Sequence, residues 1–212
     1  MASESTHHQS FAASAEEALR DFIAQFTRSR RQQVTALVAY GSPGIGLEQL
    51  WNELGRSVLG KLAPQIAAQW VPIHFPQLRE RLYADLEYEL QTQLAARPGE
   101  VMQDILTRIA PPDSTPGLRI LWLDWGVFGE AIGHRRRLSH HELQTWLQFC
   151  SDFLTVHCPP NVRIVAHLAI ESDDRAGLEA FLDQQRAEPW CRSAEFRLKS
   201  LPIVGPSGPE PE

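Results

Sequence analysis

Apolar residues along this chain fall into two rhythms, short unbroken runs and longer stripes at helical spacing. The runs are Val34–Tyr40, Gln69–Phe75, Leu118–Asp124, Val162–Ile170 and a short Phe196–Lys199. Runs of this length, rich in Val, Ile and Leu, predict strands buried on both faces of a parallel sheet. Pro72 lacks an amide proton and places the second run at an edge or bulge. The stripes lie between the runs. Leu19, Phe22, Ile23 and Phe26 follow the capping-box spacing Ser14-Ala15-Glu16-Glu17 and predict a leading helix over 15–28. Leu47, Leu50, Trp51, Leu54 and Val58 form a second helical stripe. Leu82, Leu86, Leu90 and Leu94 mark a third over 79–96, closed by Arg97-Pro98-Gly99. A shorter helix is expected over 100–109. Ser139 with Glu142 opens another that runs to Leu154 and stops before Pro159-Pro160, and a last one covers 176–186. Strands alternating with helices predict an α/β fold, a parallel sheet with helices on both faces.

Composition narrows the class. A chain of 212 residues with 43% hydrophobic content can bury a substantial core, most simply as one domain over 14–204. Residues 1–13 are expected to be a flexible N-terminus, and the proline-rich 205–212 a disordered tail. The net charge of −6 argues against nucleic-acid or membrane-surface binding and leaves protein or small-molecule partners. Neither a signal peptide nor an apolar run long enough to span a membrane is present, so a cytoplasmic location is expected. The three cysteines, Cys150, Cys158 and Cys191, have no C-x-x-C spacing and are expected to be reduced. The eight histidines are scattered, and neither a metal site nor a cofactor is expected.

Candidate chemistry lies between the first strand and the second helix. Gly41-Ser42-Pro43-Gly44-Ile45-Gly46-Leu47-Glu48 carries the glycine skeleton of a phosphate-binding loop in the strand–loop–helix order such a loop requires. In a working loop the amides and helix terminus cradle the phosphates, a lysine neutralises their charge, and a hydroxyl holds Mg²⁺. Leucine and glutamate stand at those two positions, Leu47 and Glu48. The exchange is worth two unit charges, each roughly 4 kcal/mol at 4 Å and an effective dielectric near 20. Binding of Mg-nucleotide in the ordinary mode should therefore be lost. The same glycines would also serve a plain tight turn from strand to helix.

Asp124, closing the strand Ile120-Leu121-Trp122-Leu123, stands where a P-loop enzyme keeps its magnesium-assisting aspartate. The residues after it are Trp125-Gly126-Val127, so the neighbouring acid that would orient water is missing. Helix capping or loop ordering is the alternative role for Asp124. Gly41, Gly44, Gly46, Leu47 and Glu48 thus form a vestigial phosphate loop, and Asp124 a vestigial metal-side acid.

The order of leading helix, degenerate Gly-Ser-Pro-Gly-Ile-Gly loop, Leu-Trp-Leu-Asp strand and Val-Arg-Ile-Val-Ala-His-Leu-Ala-Ile strand resembles the nucleotide-binding domain of STAND NTPases. More narrowly it resembles the inactive STAND branch, iSTAND, of bacterial conflict and signalling systems. The resemblance covers about Ser14 to Val204 and implies a three-layer P-loop NTPase-like sheet of STAND type. It also implies a module that is not an enzyme, serving as a scaffold or adaptor between sensing or effector-associated protein partners. Departures at Leu47, Glu48 and Trp125 mean that no catalytic role carries over.

Two readings compete on these residues. In the first, an inactive module works through protein contacts, with Trp122, Trp125, Phe128 and Arg135-Arg136-Arg137 as candidate surface residues, core packing being the alternative for the tryptophans and a solvated loop for the arginines. In the second, an atypical NTPase or nucleotide sensor retains weak binding through the loop and Asp124, aided by Arg163 or Arg175. Lys61 lies too far along its helix to replace the loop lysine, and nothing fixes Glu130 as a displaced acid. Leu47→Lys with Glu48→Ser should restore phosphate affinity if the loop keeps its shape.

Overall fold

Five parallel strands lie in the order β2-β3-β4-β1-β5. They are β1 Val34–Gly41, β2 Ile66–Pro72, β3 Leu118–Phe128, β4 Val162–Glu171 and β5 Phe196–Pro202. The computed structural model describes residues 16–26, 28, 31–49, 51, 66–76, 81–111, 118–129 and 137–203. The expected flexible N-terminus 1–13, the tail 205–212, Lys61, Glu130, Arg135 and Arg136 lie outside these described residues. The loop-bearing strand β1 sits between β4 and β5, and all three run the same way, so crossovers must carry helices over the faces.

The helices are α1 (16–26), α2 (opening at 47, described at 47–49 and 51), α3 (Leu82–Gln93), α4 (Met102–Ile109), α5 (His140–Phe149), α6 (Thr155–His157) and α7 (Arg175–Ala187). A π-helical turn, Cys150–Leu154, joins α5 to α6. The predicted capping box opens α5: the Glu142 amide donates to Ser139 Oγ at 3.2 Å, and the Ser139 amide donates to Glu142 Oε2 at 2.7 Å.

Strand side chains alternate between two apolar cores, as the period of two requires. On one face Leu19, Ile23 and Phe26 of α1, with Leu47 and Trp51 of α2, pack against Leu37, Ala39, Trp122, Val165 and Ala169. On the other, α3, α4, α5 and α7 contribute Leu86, Ile105, Trp146 and Leu182 against Val38, Leu121, Leu123, Ile164 and Leu168. All eight β1 residues are buried, the outcome expected of an unbroken apolar run. The result is the predicted three-layer α/β fold.

Several boundaries differ from those read in the sequence, β5 reaching Pro202 and the third helix spanning only Leu82–Gln93, and two of the differences bear on the site. β2 begins earlier, at Ile66, and leaves the ladder after Pro72 with a last bond from the Ile73 amide to the Asp124 carbonyl at 2.7 Å. β3 does not stop at Asp124. It passes through a bulge in which Asp124 pairs with His167 but Val127 with Ala169, so one extra β3 residue is accommodated. Gly126, at φ +81°, adopts the left-handed conformation the bulge demands. The continued strand buries the aromatic segment named above as a candidate contact surface. Trp122 stacks with Trp70 at 5.1 Å, Trp125 meets Trp146 edge-on at 5.7 Å, and Phe128 meets Phe75 at 5.0 Å. All three are core residues.

Candidate functional site

The glycine loop leaves β1 at Gly41 and enters α2 at Leu47. Gly44 and Gly46 hold φ values of +79° and +72°, conformations that a side chain would strain. A Cβ on Gly41 would lie 2.3 Å from Cδ1 of Ile45, whose side chain folds back over the strand end. The loop therefore has the compact form its glycines predict.

Its amides face a group that sequence reasoning missed. Glu171, the last residue of β4, pairs in register with Gly41, and the next amide, Ser172, donates to the Gly41 carbonyl at 2.9 Å. The Gly44 amide donates to Glu171 Oε2 at 3.3 Å and the Leu47 amide to Glu171 Oε1 at 3.4 Å. One buried carboxylate, 3% exposed, thus touches both ends of the loop. Gly129 makes room for it, since a Cβ there would come within 2.9 Å of the Glu171 Cβ. The available signal was an acid directly after an unbroken apolar strand, the same signal that singled out Asp124.

The two substituted loop positions part company. Leu47 is fully buried in the α1/α2 core, while Glu48 is exposed. The negative charge held on the loop amides comes from Glu171, a different residue from the one the motif alone indicated.

Asp124 is also held internally. Its Oδ1 accepts from the Gly126 amide and from His167 Nδ1, each at 2.9 Å. His167 is wholly buried and stacks on Trp51 of α2 with ring centroids 4.1 Å apart. Among the described residues its Nε2 has no hydrogen-bond partner. Burial pushes the imidazole below its ordinary pKa, and the hydrogen bond and charge of Asp124 only partly offset that. A ring held neutral in this way donates from Nδ1 and leaves Nε2 as a bare acceptor.

Of the other sequence-derived residues, Arg163 lies away from this cluster. Arg163 stands near the start of β4, eight residues before Glu171, roughly 26 Å along a strand. Its guanidinium donates to the Phe26 carbonyl and lies over the Phe26 ring. Arg175 opens α7 four residues after Glu171 and its charge acts on Tyr40, the residue before Gly41, while Leu178 and Leu182 of that helix pack on the opposite face. Among the described residues no group of His, Cys, Asp and Glu could hold a metal ion. The three cysteines are free thiols, and burial raises each of them, Cys158 to about 12, which leaves them poor nucleophiles. No helix among the described residues is long and apolar enough to cross a membrane.

No protein-family model matches the chain, and no curated protein matches it significantly. Among solved structures it is similar to Drosophila ORC bound to DNA (TM-score 0.48, 13% identity, 94% of this chain, 32% of that one). It is similar also to Drosophila ORC bound to poly(dA/dT) DNA and Cdc6 (0.46, 13%, 94% and 30%). A third is the Aeropyrum pernix ORC2 protein in ADPNP-ADP complexes (0.42, 20%, 88% and 46%). The chain spans less than half the length of each. Likeness this loose carries no functional argument. The class rests on the chain's own strand order, with a glycine loop between β1 and α2 and an acid on β3, which define a P-loop NTPase-like α/β fold.

Proposed function

We propose that this chain is a catalytically inactive P-loop module of the STAND-like kind, acting as a scaffold, adaptor or regulatory protein-interaction domain, in a bacterial signalling or defence system as the family resemblance implies. The observation that carries the reading is the inward satisfaction of the nucleotide site. Leu47, where a lysine would be needed, is packed into the core, and Asp124 is bonded to His167 and Gly126. Neither is disposed to meet a magnesium–phosphate group. Function then falls to surfaces. Tyr88, Val101 and Val156 are large apolar residues exposed on α3, at the start of α4 and on α6, all in the helical layer opposite the loop. Apolar residues exposed singly are ordinary on a protein surface, so the preference for a protein over a nucleic-acid partner rests on the net charge of −6.

Calorimetric titration of the intact chain with Mg-ATP and Mg-GTP tests the reading. No saturable heat and no phosphate release are expected. Saturable binding that disappears in Asp124→Ala would establish the competing nucleotide sensor instead.

A further inference from the structure

We infer that Glu171 is a tethered anion that occupies the glycine loop in cis and keeps oxyanions out of it. The inference rests on the reading of the loop as a non-hydrolysing site and assigns the means by which it is closed. Loop amides of this type are donors that an oxyanion would accept from. Here the Gly44 and Leu47 amides already donate, at 3.3 and 3.4 Å, to the two oxygens of a single carboxylate. That carboxylate spans the loop much as two oxygens of a phosphate would.

The fold holds it there. Glu171 ends a strand paired with β1 along its whole length, Ser172 is bonded to Gly41, and Gly129 leaves the space the side chain fills. A dissolved oxyanion must compete with a group whose local concentration is set by the chain and not by the solution. Leu47 and Glu48 account for a nucleotide left without neutralisation or metal. Glu171 accounts for loop amides that already have an anionic acceptor. The two causes predict different rescues.

Metal-free inorganic pyrophosphate, titrated calorimetrically, separates them. The proteins are the wild type, Leu47→Lys with Glu48→Ser, Glu171→Gln, and Glu171→Ala, each confirmed as folded by its thermal transition. The wild type and the double variant are expected to show no saturation in the millimolar range. The two Glu171 variants should bind about tenfold tighter or better, the worth of roughly one charge-assisted hydrogen bond. Binding restored by the double variant alone, or Glu171 variants no better than wild type, would overturn the inference. Should both Glu171 variants fail to fold, amide hydrogen exchange of the wild type decides. Gly44 and Leu47 are expected to exchange at least about tenfold more slowly than their intrinsic rates, and exchange at those rates would overturn the contact. Mg-ATP binding by the wild type would sink the inactive-module reading, whereas the pyrophosphate comparison bears on Glu171 alone.

Discussion

His167 Nδ1 donates to Asp124 Oδ1 at 2.9 Å from the directly paired position of the neighbouring parallel strand. The ring is fully buried against Trp51, and burial holds its pKa below the ordinary value. On acidification the unfolded chain therefore takes up this proton before the folded one does. Stability should be complete above the unfolded histidine pKa of about 6.5 and should fall as pH drops through it toward the folded value. The slope from this group is at most about 1.4 kcal/mol per pH unit. Urea unfolding between pH 8 and 5 measures it, and His167→Gln should flatten the profile.

Asp124 serves as a structural acceptor for two donors. Asp124→Ala strands the Gly126 amide and the His167 ring, at a cost of roughly 1–3 kcal/mol. A lowered urea midpoint with no change in magnesium or nucleotide response is the expected result. An unchanged midpoint would mean that the two bonds add nothing to stability.

Leu47→Lys should not behave as a repair. The side chain it replaces is fully buried among Trp51, Leu37 and their neighbours. Loss of that packing, with an ammonium to desolvate, should cost about 2–5 kcal/mol. For a chain of this size the melting temperature should drop by roughly 5–15 °C. Differential scanning calorimetry reads it directly.

Gly129→Ala should destabilise through Glu171, whose Cβ would stand 2.9 Å from the new methyl group. Overpacking of this kind costs about 1–3 kcal/mol. In a Glu171→Gly background the penalty should shrink, giving a coupling of at least about 0.5 kcal/mol in a double-mutant cycle. Additive effects would place the strain elsewhere.

Much of the architecture was legible because burial writes itself into spacing. Unbroken runs such as Val34–Tyr40 became central strands, and the Ser139–Glu142 spacing became a real capping box. Strand order was not legible, since nothing local to β1 and β4 says that they pair. For that reason Glu171 escaped notice, being 127 residues from the Gly44 amide it meets. His167 was hidden for a related reason: a polar residue flanked by apolar ones in Val162–Ile170 still reads as strand, and its partner Asp124 lies on another run. Trp122, Trp125 and Phe128 were candidate contact residues with core packing as the alternative for the tryptophans, and core packing is what the structure shows; for Trp125 and Phe128 the bulge at Gly126, which prolongs β3, leaves only a glycine as its trace.

That bulge also governs how reversible the site is. Trp125, the position where a second acid would be sought, projects into the α3–α5 core against Trp146, on the far side of the sheet from the glycine loop. A glutamate substituted there would be a buried charge and not a base. With Leu47 locked into one core and Trp125 into the other, a lysine or an acid introduced at either position would have to be desolvated inside a packed layer. If the loop is inactive as proposed, the packing works as a ratchet, because a loop lysine at Leu47 and an acid at Trp125 would each disrupt a different layer of the core.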